Sequence, residues 1–176
     1  MNTTLDLAYH LAHISPDHGL VGGLLHPLLG LDHLLAMVAV GLIAAQRTGP
    51  TRLTAPLTFL LAMTLGFALA ATGLALPLPT EPSIIASVIL LGLAAAFARR
   101  LHPAALAGFI ALSAIVHGQA HGAEAFAPLV PYALGMLLTT AALHAAGIAF
   151  ARFATHRLVT LSGLGIAATG LVLAFA

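Results

Sequence analysis

Residues 26–45 read HPLLGLDHLLAMVAVGLIAA, an apolar stretch long enough to cross a bilayer that nevertheless carries His26, Asp32 and His33. An acid at the centre of a membrane helix costs roughly 2.5–3.5 kcal/mol on insertion scales, and ionisable groups at that depth ordinarily serve a function. A second apolar segment supplies the same ligand types at His117, His121 and Glu124. Two such clusters in one chain point to a polyvalent metal cation moving through a membrane.

The 176-residue chain is 60% hydrophobic and only 6% charged, with a mean hydropathy of +1.06. Soluble domains carry about 25% charged residues. This composition cannot clothe a water-facing surface, but it suits a helix bundle whose outside is lipid. Six arginines stand against five acids, with no lysine and no basic run, which gives no support to a nucleic-acid partner. The absence of cysteine excludes disulfides, thiolate metal sites and Cys nucleophiles, leaving nitrogen and oxygen as the expected metal ligands. Ten histidines are the compositional anomaly, several of them inside or beside apolar segments. The opening MNTTLDLAYHLAHISPDHG has neither a positive n-region nor a long apolar h-region, so it does not read as a signal peptide.

A transmembrane helix needs about 20 mostly apolar residues, and six runs qualify with soft edges: 20–45, 55–76, 84–98, 104–121, 129–150 and 158–175. The third is short for a full span. The expected fold is an all-α polytopic bundle of six helices over 20–176, preceded by an outward-facing tail over 1–19. Prolines 50, 56, 77, 79, 82, 103, 128 and 131 punctuate the gaps, whereas Pro27 falls inside the first run. Arg47 and Arg52 flank the first loop, Arg99 and Arg100 the third, and Arg152 and Arg157 the fifth. Glu81 and Glu124 fall in the second and fourth loops, and Asp6 and Asp17 in the tail. The positive-inside rule then places both termini outside and the arginines in the cytoplasm.

Gly66 and Gly73 in the second run, and Gly163 and Gly170 in the sixth, supply small faces for close helix packing. Six helices also allow a three-plus-three inverted repeat, with a His-rich cluster on the leading helix of each half. Similarity between the halves is faint, HPLLGLD against HGQAHGAE.

At about 1.5 Å per residue, Asp32 and His117 come to similar depth from opposite sides. His26 and His33 are seven apart and share a helical face, from which Asp32 is rotated away. Pro27 and Gly30 can loosen the turn between them and reorient the acid. His121 and Glu124 follow His117 at i+4 and i+7, stepping outward, while Gly118 and Gly122 keep the surface low. Two imidazoles with carboxylates suit nickel, cobalt or zinc; an all-oxygen set would suit magnesium or calcium. His144 is either an inner-side ligand or a packing residue. His102 and His156 border the arginines as interfacial groups. His10, His13, Asp17 and His18 read as part of a solvated tail, with metal gathering at the outer mouth as the alternative.

His26-x5-Asp32-His33 in the context HPLLGLDHLLAMVAVG, together with Val116–Glu124 as VHGQAHGAE, resembles the paired motifs of the HupE/UreJ family of bacterial membrane proteins. The likeness covers essentially the whole chain. It departs from the family at Val116, where a Phe is usual. The resemblance implies a nickel permease, with cobalt as a further cargo, in the bacterial cytoplasmic membrane. It implies supply to hydrogenase or urease maturation, and His26, Asp32, His33, His117 and Glu124 as the metal path. Neither an enzyme nor a prosthetic group is expected, and no P-loop is present, so transport would be secondary. On this reading the cation is collected near Glu124 and His121, passes His26, Asp32, His33 and His117, and leaves toward His144. Two other readings use the same residues. One is an intramembrane zinc hydrolase with Ser113, one turn before His117; the other is a bis-His haem protein, in which the carboxylates would be unneeded.

Overall fold

At Gly30 the backbone is extended, with φ −86° and ψ 114°. There the expected first span divides into α1 (Gly19–Leu29) and α2 (Leu31–Ala45). The two meet at 82°. The computed structural model describes residues 19–125 and 128–175; the tail histidines His10, His13 and His18, with Asp6 and Asp17, lie outside them. Five further helices follow: α3 (Thr54–Ala71), α4 (Thr80–Phe97), α5 (Pro103–Glu124), α6 (Leu129–Phe153) and α7 (His156–Leu173). Each of these five is long and apolar enough to cross a membrane, and the bent pair makes a sixth crossing if counted as one span. The described residues form an all-helical polytopic bundle. The third run, short by sequence, is completed by Thr80–Ser83 in front of it and a 3₁₀ turn behind, giving 21 residues from Thr80 to Arg100.

Why the first span breaks follows from its residues. Pro27 has no amide hydrogen to donate within α1, and Gly30 takes an extended conformation that ends one helix and starts the next. Backbone at membrane depth must keep its polar groups bonded, and at the bend Gly30 still donates its N–H to the His26 carbonyl (3.4 Å) and accepts at its own carbonyl from the Leu34 N–H (3.0 Å). Gly30 is half-buried there, with Leu29 and Leu31 exposed on either side of it. Beyond the bend α2 is the central helix, and Ala36, Met37, Ala39, Val40, Leu42 and Ile43 are all essentially inaccessible. Burial on every side is the mark of a core helix. Outward faces of the other helices carry leucines and other large apolar side chains, with Leu61, Val130, Leu138, Phe153 and Val172 more than half exposed. That inversion belongs to a surface bathed in lipid.

Close glycine contacts join the helices in four pairs. A Cβ on Gly66 or Gly118 would overlap the facing backbone between α3 and α5. Gly23 and Gly135 do the same between α1 and α6, Gly41 and Gly147 between α2 and α6, and Gly92 and Gly163 between α4 and α7. With no hydrophobic effect inside a bilayer, such close approach supplies the packing energy. Gly73 does not take part; it ends α3 in the left-handed region at φ +78° with nothing near its missing side chain.

Glycine contacts also fix the sense of each helix. α4 and α7 run antiparallel, and α2 and α6 run the same way, which brings the three arginine-bearing loops to one end. Arg47 ties two of those loops together by donating to the carbonyls of Ala98 (2.7 Å) and Leu101 (3.0 Å). A cation at the C-terminal end of α4 also complements its dipole.

Gly118→Leu is expected to lower the thermal midpoint of the detergent-solubilised protein by several degrees, since overpacking costs about 1–3 kcal/mol. Gly108→Leu, in a position with nothing within 4 Å, leaves that midpoint unchanged.

Candidate metal centre

The break at Gly30 puts Asp32 and His33 in the first turn of α2 and leaves His26 near the end of α1. His26 and His33 therefore do not share one helical face. They meet across the bend, with ring centroids 5.7 Å apart. His121, from α5, stands against both, at 4.7 Å from His26 and 4.6 Å from His33. One ring nitrogen from each of these three residues lies within 4.8 Å of the others. His117, one turn earlier on α5, packs edge-on to His33 at 4.9 Å.

Two hydrogen bonds decide which nitrogens are free. A single Asp32 oxygen, Oδ1, accepts from both the His33 backbone N–H and the His33 ring Nδ1, each at 2.8 Å. With Nδ1 donating, Nε2 keeps its lone pair, and that atom is buried without a partner among the described residues. A Cβ at residue 30 would meet Asp32 Oδ1 at 2.8 Å and His33 Nδ1 at 3.0 Å, so only glycine leaves room for the pair. A carboxylate holding the far nitrogen of a histidine is the arrangement that orients metal ligands.

His117 is fixed in the complementary way. Ser87 Oγ donates its one hydrogen to the Ile84 carbonyl (2.7 Å) and so accepts from His117 Nε2 (2.8 Å). The lone pair of His117 is then on Nδ1, which is also buried and unpartnered. His121 has no hydrogen bond at either nitrogen among the described residues.

Glu124 Oε2 lies 3.2 Å from His26 Nε2. Burial deepens steadily from there. Glu124 is 59% exposed at its side chain and His26 30%, while His121 and His117 are wholly inaccessible. The structure thus brings all six predicted site residues into one cluster, but in different stations from those expected. His121, expected beside Glu124 at the outer collection point, lies at the buried centre, and His26 stands at the mouth instead. Asp32 bonds to His33 Nδ1 and not to His26 or His121, and it lines a cavity of about 320 Å³ shared with Glu81.

Two neighbours escaped the sequence reading. Ser87 is one hydroxyl in an apolar helix, and only the packing of α4 on α5 reveals its partner. Tyr132 packs 6.2 Å from His26 and stacks on Phe67 at 6.1 Å, with its hydroxyl buried and unpartnered. It is one of only two tyrosines in the chain, which is the signal that could have marked it. Ser113 lines an apolar groove together with Ser83, Ser87 and Val116, and of these serines it is Ser87 that bonds to His117. That placement gives the hydrolase reading no support. His102 and His156 are exposed beside the arginine loops.

The fold and this cluster define a polytopic membrane protein with a buried imidazole site opening to one side. The chain belongs to the HupE / UreJ family, whose model, described as HupE / UreJ protein, matches residues 2–173. It is 38% identical over 135 residues to Protein HupE of Rhizobium leguminosarum bv. viciae, covering 76% of this chain and 70% of that protein. No solved structure matches the chain.

Nitrogen-15 chemical shifts of the histidine rings test the assigned tautomers. His33 should appear protonated at Nδ1 and His117 at Nε2, and Asp32→Ala should release His33 from its single tautomer while leaving His117 unchanged.

Proposed function

We propose that this protein is a secondary permease that takes a divalent transition-metal ion, nickel first and cobalt second, across the bacterial cytoplasmic membrane. The observation that carries this reading is the convergence of His26, His33 and His121, with a nitrogen from each within 4.8 Å of the others. Three imidazoles with carboxylates nearby are a borderline ligand set, which suits nickel, cobalt or zinc over magnesium or calcium. Family membership and the similarity to Protein HupE favour nickel among these.

In the proposed path Glu124 and His26 meet the hydrated ion at the mouth. The ion then exchanges water for His33 and His121, with Asp32 orienting His33 and keeping a negative charge beside the bound cation. His117 takes over as the innermost imidazole of the cluster. No prosthetic group is involved, the cargo is the only metal, and no chemical conversion of a substrate is proposed. Both termini are assigned to the outer side, because the three arginine loops share one end and that end is the cytoplasmic one by charge. Delivery to a hydrogenase or urease maturation system is the assigned downstream use.

A three-plus-three inverted repeat also fits the helix pairing. Exchanging the first three spans with the last three turns the α3–α5 pair into the α6 pair with α1 and α2, and maps the α4–α7 pair onto itself.

His33→Ala and His121→Ala are expected to abolish nickel accumulation in cells at unchanged membrane protein levels. Asp32→Asn, which keeps the shape but loses the charge, should weaken nickel binding by about 10–100-fold, as removal of an orienting carboxylate does elsewhere. Accumulation at the unsubstituted rate in both histidine variants would remove the site from the transport path.

A further inference from the structure

Inward of the cluster lies His144, for which the sequence leaves open an inner-side ligand or a packing role. His144 on α6 is 2% exposed, and neither of its ring nitrogens has a hydrogen-bond partner among the described residues. A buried polar group left unpaired is costly, by about 1–3 kcal/mol. Leucine would fill the same space without that cost.

Its neighbours explain what the ring could serve. Phe59 on α3, itself wholly buried, packs against both His117 and His144. Its ring centroid lies 5.9 Å from His117 and 5.3 Å from His144, edge-on to the latter at 90°. Beside this aromatic ring lies a second set of metal-competent atoms. Thr140, one turn before His144, places its hydroxyl 3.0 Å from Met37 Sδ and 3.9 Å from Met63 Sδ. Met37 is one turn inward of His33 on α2, and Met63 is one turn from Phe59 on α3. All three residues are inaccessible. His33 and Met37 on α2, and Thr140 and His144 on α6, are thus each one helical turn apart, and the Thr140–Met37 contact joins the two helices between them.

We propose that His144 is a second, inner binding station for the transported cation, separated from the cluster by Phe59 and reached past the Met37 and Met63 thioethers. This rests on the permease reading and deepens it: the path has two imidazole stations with a soft-donor passage between them. Thioethers add a softer ligand to a chain without cysteine, which sharpens selection against magnesium and calcium along the route. Phe59 keeps the stations apart, so that an ion leaves one ligand set before it is fully held by the next. Multi-site binding of this kind lets an ion enter favourably and still depart.

The test compares His144→Leu with His144→Met in the full chain reconstituted into proteoliposomes, with Ni²⁺ as the probe for both equilibrium binding and uptake. The two side chains are nearly equal in volume, and only methionine offers a donor atom. Both variants should bind Ni²⁺ at the cluster within about threefold of the unsubstituted protein, while leucine lowers uptake at least about tenfold and methionine retains about a third or more. Equal behaviour of the two variants overturns the proposal: normal transport by both shows that filling the space is enough, and equal loss in both shows that a donor atom at this position does not sustain transport. Failure of the permease reading shows separately, as an unsubstituted protein that neither binds nor imports Ni²⁺.

Discussion

A helix can be broken at membrane depth only if the backbone groups at the break keep partners, and this fold is arranged around one such break, where Gly30 stays bonded to His26 and Leu34. At Gly30 the chain turns by 82° between α1 and α2. The turn brings His26 and His33 together from two helices and starts α2 with the Asp32–His33 pair. Protein covers the imidazole side of the break, while Leu28, Leu29 and Leu31 stay exposed on the other. α6 packs against both α1 and α2 through glycine contacts on either side of the bend, and α5 closes the cluster with His117 and His121.

The same interior sets the chemistry. In low dielectric an imidazole is held to one tautomer by whichever strong partner it has. Asp32 and Ser87 each occupy one nitrogen of a neighbouring histidine, so that His33 and His117 each offer the other as a bare lone pair. Orphaned nitrogens at His33, His117 and His121 would be a liability in a merely structural core. Around a cation they become ligands, which is why the geometry is read as a site and not as a packing accident.

How much of this could be read from the residues alone depends on whether the signal was local. Five spans are legible because each is one continuous apolar run between prolines or charges, and hydrocarbon tolerates little else. The first run shows its Pro27 and Gly30, but the angle at the break depends on where α6 lies and is invisible in the run itself. His26, Asp32, His33, His117, His121 and Glu124 stand out because polar groups are expensive at that depth. Their relative depth is not legible in the residues, since it rests on the bend, which sets His26 beside Glu124 and draws His121 to the centre. Ser87 carries no such signal, and Tyr132 only its rarity. A serine in an apolar helix is ordinary, and the partner of either residue exists only once the helices are packed.

Anomalous diffraction at the nickel absorption edge, on crystals of the full chain grown with Ni²⁺, tests the central claim most directly. The account predicts a peak bounded by the ring nitrogens of His26, His33 and His121, with Asp32 hydrogen-bonded to His33 and not to the metal. A peak on the N-terminal histidines or on Asp32 and Glu81, with the imidazole cluster empty, would contradict it.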